Sequence, residues 1–121
     1  MTEHVVAKID ELPPGSSRVV QLRNMQIGIF NLDGVVYALP NLCPHQFGPL
    51  CQGKVGGTMA SGPETAWTYQ WVREGEIISC PWHGIEFDLT TGKSLASSRL
   101  RVRQYPVSIV DGEIIVTIGS A

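Results

Sequence analysis

Two short stretches, Cys43-Pro44-His45 and Cys80-Pro81-Trp82-His83-Gly84, decide how this chain of 121 residues is interpreted. Each offers one thiolate and one imidazole, and the proline after each cysteine restricts the backbone of its loop. Together they supply four candidate metal ligands: Cys43, His45, Cys80 and His83. A site for one zinc ion usually pairs Cys with Cys and His with His, whereas here each stretch holds one of each. A two-iron cluster explains this order better, because two thiolates can hold one iron while two imidazoles hold the other.

The order Cys43-x-His45 followed by Cys80-x-x-His83-Gly84 resembles that of the Rieske [2Fe–2S] proteins. The flanking residues are similar to those of the soluble ferredoxins that feed ring-hydroxylating dioxygenases: Pro49-Leu50, Ile85-Glu86-Phe87-Asp88 and Thr91-Gly92. The resemblance runs from about residue 5 to residue 118. It implies a one-electron carrier that holds one Rieske-type [2Fe–2S] cluster per chain through the four ligands named above. It also implies two transient partners, a flavoprotein ferredoxin reductase that uses NADH and a terminal Rieske non-haem iron oxygenase that hydroxylates aromatic rings.

Strand patterns dominate the chain, and helix patterns are almost absent. Short segments rich in Val and Ile are predicted as strands: residues 5–9, 18–22, 27–32, 35–39, 107–110 and 113–118. Asp33-Gly34 and Asp111-Gly112 predict two-residue hairpin turns, because both residues of each pair can adopt a positive φ. These features predict an all-β fold, a small antiparallel β-sandwich or barrel. The resemblance implies the Rieske fold, with a loop-rich cluster-binding subdomain at about residues 41–98.

Length and composition fit a single domain over residues 1–121. A chain of this length buries somewhat under about 70% of its unfolded surface, enough for one modest core. No apolar run approaches the roughly 18 residues of a membrane span, and the first residues lack the pattern of a signal peptide, so we expect no membrane association and no export. If two of the three cysteines are ligands, only Cys51 remains and no disulfide can form within the chain. We therefore expect a cytoplasmic protein.

Charge and histidine content restrict the function further. Nine Lys and Arg against eleven Asp and Glu give a formal net charge of −2, which argues against nucleic acid as a partner. A mildly acidic carrier suits transient docking to a basic patch on a protein. An oxygenase needs a mononuclear iron site, typically two histidines and a carboxylate, and only His4 remains beyond the four ligands. We therefore expect an electron-transfer component and not an enzyme, with His4 exposed to solvent.

Four residues near the ligands bear on the reduction potential. High-potential Rieske proteins carry a disulfide between the two cluster loops and hydroxyl groups from a Ser and a Tyr after the second histidine. This chain has Gly48 and Trp82 at the two cysteine positions, and Ile85 and Phe87 at the hydroxyl positions. Hydrogen bonds to the cluster stabilise its reduced state, so their loss lowers the potential. The resemblance thus implies a low-potential centre.

The segment between His45 and Cys80 has 34 residues, more than the resemblance leads us to expect, and the excess falls at about residues 53–72. Trp67, Tyr69 and Trp71 alternate there, which on a strand would place three aromatic side chains on one face. One interpretation is a partner-docking flap beside the cluster, since aromatic residues are enriched in interface hot spots. The other is an extra hairpin whose aromatic side chains pack on the sheet.

Two further features have an ordinary and a functional interpretation. Arg99, Arg101 and Arg103 lie on one face of a predicted strand and form either a docking stripe or a solvated edge that resists aggregation. Cys51 is either a reactive thiol or a packed one, and we favour the packed thiol because no third histidine lies near it in sequence to activate it.

Two other functions remain open from the sequence. The first is a small Rieske-like subunit of an NADH-dependent nitrite reductase, which would share the fold. The second is a zinc-stabilised interaction module without a redox role, which would be colourless and would unfold when the metal is chelated.

Overall fold

The computed structural model describes residues 2–44, 48–61, 63, 66–82, 84–95, 97 and 99–118. Within these ranges the chain forms nine strands: β1 (Thr2–Lys8), β2 (Ser17–Leu22), β3 (Met25–Leu32), β4 (Val35–Pro40), β5 (Lys54–Ala60), β6 (Gln70–Ser79), β7 (Glu86–Asp88), β8 (Val107–Val110) and β9 (Glu113–Ile118). Short 3-10 helices occur at Ile9–Glu11 and Leu50–Gln52. Among the residues described, no helix is long and apolar enough to cross a membrane.

The strands form three antiparallel sheets, with the orders β1-β9-β8, β2-β3-β4 and β5-β6-β7. This confirms the predicted all-β fold. The third sheet lies within the region expected to be loop-rich, residues 41–98. Its strands escaped the sequence analysis because Gly56-Gly57 and the charged residues of β6 interrupt the strand pattern.

The two predicted hairpin turns are present. Leu32 pairs with Val35, and Val110 pairs with Glu113, so each turn has two residues. All four turn residues have a positive φ: Asp33 52°, Gly34 93°, Asp111 52° and Gly112 78°. Glycine adopts this conformation freely, and aspartate tolerates it better than most residues. The local chemistry of Asp-Gly therefore sets the register of both hairpins.

The first two sheets pack face to face, as expected for a sandwich. Buried residues from both sheets and their connections form one apolar cluster: Ala7, Leu12, Ile27, Ile29, Val36, Ala38, Tyr105, Ile114 and Val116. β3 is buried on both faces, because its Phe30 belongs to a second cluster. Burying each large apolar side chain contributes roughly 1.5–3 kcal/mol. This second cluster contains all three cysteines, so the fold core and the candidate site share β3.

A wide bulge interrupts the pairing of β5 with β6. Gly56 pairs with Ile77 and Thr58 pairs with Val72, so residues 73–76 of β6 stand opposite a single residue of β5. Arg73 ties this bulge to β7: its guanidinium contacts Glu76 at 2.8 Å and the buried carboxylate of Asp88 at 2.7 Å. The bulge is therefore held in place by charged hydrogen bonds, which are stronger than neutral ones.

The extra hairpin predicted around residues 53–72 is present, but its aromatic residues are not arranged as expected. Trp71 lies in β6, whereas Trp67 and Tyr69 precede the strand, and Trp67 has a φ of 63°. Trp67 is 72% exposed, Tyr69 77% and Trp71 55%. The expectation that the three side chains pack on the sheet is therefore wrong. The register places them at the end of the hairpin away from Cys80, which gives no support to a flap beside the cluster.

The arginine segment shows the predicted alternation without being a regular strand. Arg99, Arg101 and Arg103 are exposed, and Val102 between them is buried. Arg101 forms an isolated bridge to Lys93 outside the nine strands. The three arginines thus share a solvent-exposed face, which fits both a docking stripe and a solvated edge.

Candidate metal centre

Both cysteine-bearing loops meet the third sheet at the same end. Lys54 pairs with Ser79 and Ser79 pairs with Glu86, so the loop before β5 and the loop between β6 and β7 lie side by side. Gly53 permits this close approach, because a Cβ at this position would overlap the carbonyl oxygen of Ser79. Its φ of −74° suits any residue. Lack of space alone therefore requires glycine here.

Cys43 and Cys80 lie in the same apolar cluster. Their exposed fractions are 1% and 2%, and the cluster also contains the buried side chains of Leu50 and Phe87. Ile85 packs against it. No disulfide joins the three cysteines, all of which the structure describes. The fold thus places both predicted sulfur ligands in one buried apolar cluster that excludes water.

Backbone hydrogen bonds close both loops around these cysteines. The N–H of Cys43 donates to the carbonyl oxygen of Gly48 at 2.7 Å, and the N–H of Cys80 donates to that of Ile85 at 2.9 Å. In the second loop, the N–H of Gly84 also donates to the carbonyl oxygen of Cys80 at 2.8 Å. Gly84 has a φ of 70°, a conformation in which glycine is strongly favoured.

The two predicted imidazole ligands, His45 and His83, lie outside the described residues. The complete ligand set therefore stays a prediction. The remaining histidine, His4, lies half-buried in β1 with its Nε2 2.9 Å from the hydroxyl of Thr2, so it is less exposed than expected.

A family model for the Rieske-like [2Fe-2S] domain matches residues 4–117. This chain belongs to that family. The family implies a Rieske-type [2Fe–2S] cluster as the cofactor, as predicted. The three small sheets match the solved structure of a ferredoxin, which confirms the predicted Rieske fold.

Known proteins resemble this Rieske chain over nearly its whole length. The ferredoxin component of the naphthalene 1,2-dioxygenase/salicylate 5-hydroxylase systems of Ralstonia sp. is 29% identical over 104 residues, which cover 85% of this chain and 83% of that protein. The solved structure of Sphingomonas yanoikuyae B1 ferredoxin is 28% identical, with a TM-score of 0.71 and coverage of 98% of this chain and 100% of that one. A putative NADH-dependent nitrite reductase small subunit from Mycobacterium tuberculosis is 23% identical, with a TM-score of 0.70 and coverage of 99% and 97%. This last similarity shows the shared fold alone.

The described residues fit a Rieske cluster. Thiolates are soft ligands that suit an iron–sulfide core, and Cys43 and Cys80 are held in one apolar cluster by short, closed loops. Ile85 and Phe87 add only apolar side chains to this group of buried residues, without a hydroxyl group. The site therefore supplies two fixed sulfur donors in dry surroundings.

Cys51 is a packed thiol, as favoured from the sequence. Its Sγ donates to the carbonyl oxygens of Pro40 at 3.4 Å and Leu39 at 3.6 Å. Burial raises the pKa of this thiol to about 12, and a backbone hydrogen bond from Gly28 offsets only part of that rise. At neutral pH Cys51 is therefore a protonated, unreactive thiol.

Asn41 is a positioning residue that the sequence analysis missed. Its side-chain oxygen accepts a hydrogen bond from the N–H of Cys51 at 2.8 Å, and its side-chain amide donates to Oε1 of Gln26 at 3.0 Å. Its own N–H donates to the carbonyl oxygen of Gln26 at 2.9 Å. These bonds attach the start of the Cys43 loop to β3. The available signal was an asparagine directly after a strand, where its side chain often bonds to nearby backbone.

Proposed function

We propose that this chain is a one-electron carrier of the ferredoxin type, which passes electrons from an NADH-dependent flavin reductase to the terminal Rieske oxygenase of an aromatic ring-hydroxylating system. One structural observation carries the proposal: two buried cysteines from separate loops, Cys43 and Cys80, meet in one apolar cluster. The relative from Ralstonia, which matches most of this chain, is named as the ferredoxin component of two such systems.

The proposed ligands are Cys43 and Cys80 on one iron and His45 and His83 on the other. A bound cluster of this kind gains and loses one electron at a time. The chain's own contribution is to fix the two sulfur donors through the backbone bonds to Gly48 and Ile85 and to shield them from water. Short loops closed by hydrogen bonds move little when charge changes, which suits rapid electron exchange.

The proposed carrier is a single Rieske domain over residues 1–121 that does not oxidise the substrate itself. The chain has three histidines: two are the proposed cluster ligands, and the third is His4 in β1. Too few histidines therefore remain for an additional iron site that needs two. Its partners would be proteins bound transiently, with neither nucleic acid nor membrane among them, in line with the net charge of −2. The three cysteines without a disulfide suit a reducing cytoplasm.

Two alternatives make different predictions. A nitrite reductase subunit has a solved counterpart of the same fold, and it would support nitrite reduction with its large subunit but not aromatic hydroxylation. A zinc module would hold one zinc ion and no sulfide. Membership of the [2Fe–2S] family argues against the zinc module.

The decisive experiment is metal and sulfide analysis of the purified protein, followed by visible and EPR spectroscopy after reduction with dithionite. We expect about two irons and two acid-labile sulfides per chain and the EPR signal of a reduced [2Fe–2S] centre with mixed Cys and His ligands. A colourless protein with one redox-silent zinc ion would overturn the proposal.

Matched variants test the ligand assignment. Cys80→Ser and His83→Ala should abolish the Rieske spectrum, whereas Cys51→Ser and His4→Ala should retain it, because Cys51 is a packed thiol and His4 lies in β1. Electron delivery is then measured by adding the purified protein to a ferredoxin reductase and an aromatic dioxygenase and following NADH use and product formation. Loss of the spectrum in the control variants would show that the ligands are assigned wrongly.

A further inference from the structure

Trp82 lies directly on Gly48, and the contact joins the two cysteine loops. A Cβ built on Gly48 would stand 2.8 Å from Cδ2 and 2.9 Å from Cγ of the Trp82 indole, closer than real Cβ contacts allow. The indole therefore occupies the space that a side chain on residue 48 would need. Gly48 is buried, while Trp82 is 57% exposed. One side of the indole therefore covers the first loop, and much of the rest faces solvent.

Each partner in this contact is fixed within its own loop. The carbonyl oxygen of Gly48 accepts hydrogen bonds from the N–H groups of Cys43 at 2.7 Å and Leu50 at 2.9 Å. Trp82 lies in the turn that the bonds of Cys80 and Gly84 close. Because neither loop yields easily, the indole links the Cys43 loop to the Cys80 loop.

We infer that Trp82 is a clamp that holds the two cluster loops together across Gly48 and so slows loss of the cluster. The inference rests on the proposed function, since it assumes that the two loops hold a cluster between them. By the resemblance stated above, residues 48 and 82 stand where high-potential Rieske proteins carry an interloop disulfide. In this chain the indole of Trp82, packed on the backbone of Gly48, takes the place of that disulfide. A large aromatic ring provides much contact area for little loss of conformational freedom.

The clamp acts on the cysteine ligands through the loops, so Trp82 is a positioning residue. Opening of the two loops is the step that lets a chelator or water reach the iron. Trp82→Ala removes the ring and leaves the hydrogen bonds of both loops intact. Cluster loss should therefore speed up without a change in the ligand set.

The test measures cluster loss from the intact holoprotein. Each variant is mixed with excess ferrous chelator, and the fall in visible absorbance and the appearance of the iron–chelator complex are followed. We expect Trp82→Ala to lose its cluster about tenfold faster than the wild type, a size typical of the interaction between two packed groups. Its EPR spectrum before chelation should keep the Rieske form. Trp67→Ala is the matched control, because it removes a more exposed indole, 72% against 57%, from the far end of the β5–β6 hairpin; its rate should equal that of the wild type.

A double-mutant cycle separates a clamp from a general structural defect. Gly48→Ala places a methyl group where the indole lies, so it should push Trp82 away and speed cluster loss in the wild-type background. In the Trp82→Ala background the same change meets no ring and should have almost no further effect. Additive effects of the two substitutions would overturn the clamp. A parallel cycle with Trp82→Leu gives the same comparison if Trp82→Ala accumulates poorly.

The outcomes distinguish the inference from the function on which it rests. If the wild-type protein holds no iron and sulfide, the proposed function fails. If it holds a cluster that Trp82→Ala releases at the wild-type rate, the carrier stands and the clamp is wrong.

Discussion

Gly53→Ala is the most informative single substitution, because it tests whether the two cysteine loops touch as closely as the structure shows. A methyl group at residue 53 would overlap the carbonyl oxygen of Ser79 and lie 3.0 Å from that of Leu50. Both obstacles are backbone atoms. They can be relieved only if the first loop moves away from the residue that precedes Cys80.

The expected cost follows from this geometry. Overpacking of a tight site costs typically 1–3 kcal/mol, and we expect about 3 kcal/mol because no side chain can swing aside. That is a substantial part of the roughly 5–15 kcal/mol by which domains are stable. In a domain of this size each kilocalorie lowers the melting temperature by about 4 °C, so the variant should melt about 12 °C below the wild type.

The assay is thermal unfolding of the holoprotein by circular dichroism, with visible absorbance recorded at the same heating rate. Gly56→Ala is the control in the same hairpin. Its new methyl group would stand 3.3 Å from the ring edge of Trp71, a side chain that is 55% exposed and can move, so we expect a loss below about 1 kcal/mol. If Gly53→Ala melts within about 3 °C of the wild type, the backbone approach at Ser79 is looser than described and the cost estimate fails.

Three further predictions concern the acid stability, the hairpin and the potential. Burial raises the pKa of Asp88, but hydrogen bonds from Thr90 and Arg73 outweigh it and hold that pKa below its ordinary value. The stabilisation is therefore present above about pH 4 and lost as the pH falls through the folded pKa. Asp88→Asn should lower the free energy of unfolding by about 2 kcal/mol at pH 7 and make it depend less on pH in acid, as measured by urea unfolding. The same acid dependence in the variant and the wild type would contradict this. The double variant Trp67→Ser/Tyr69→Ser should change the free energy of unfolding by less than about 0.5 kcal/mol and leave electron delivery to the oxygenase unchanged. The reason is that both side chains are exposed at the hairpin end away from Cys80. A marked fall in electron delivery would instead place a partner contact on the hairpin. Redox titration should give a midpoint near the lower end of the roughly −150 to +300 mV Rieske range, and a value above about +100 mV would refute the argument from Ile85 and Phe87.

Much of the fold and half of the ligand geometry followed from local patterns. Asp33-Gly34 and Asp111-Gly112 form the predicted turns, since the conformational preference that makes them recognisable acts between neighbouring residues. The two Cys-and-His stretches predicted the family and the cofactor, because the chemistry of the ligands themselves carries that information. Burial of Cys51 also followed from simple preference for packed thiols.

The sequence analysis failed where the outcome depends on distant contacts. Trp67 and Tyr69 alternate like a strand face, yet both precede β6 and are 72% and 77% exposed. Whether such side chains are covered depends on parts of the chain that are distant in sequence. The region of the third sheet was predicted to be loops. Its bulge at residues 73–76 is stabilised by a contact between Arg73 and Asp88, which lies in another strand. Local strand propensity does not predict a contact with a residue in another strand.

The amino-acid sequence alone determined the donor chemistry, the all-β class and the tight hairpins, because each is a property of residues that are adjacent or nearly so. Only the tertiary structure decided why Gly48 and Gly53 must be glycines, since the indole of Trp82 and the carbonyl of Ser79 reach them from a separate loop and strand end. It also decided that Cys43 and Cys80 share one dry cluster. Close packing between segments far apart in the chain is a property of the folded molecule, and a linear pattern does not encode it locally.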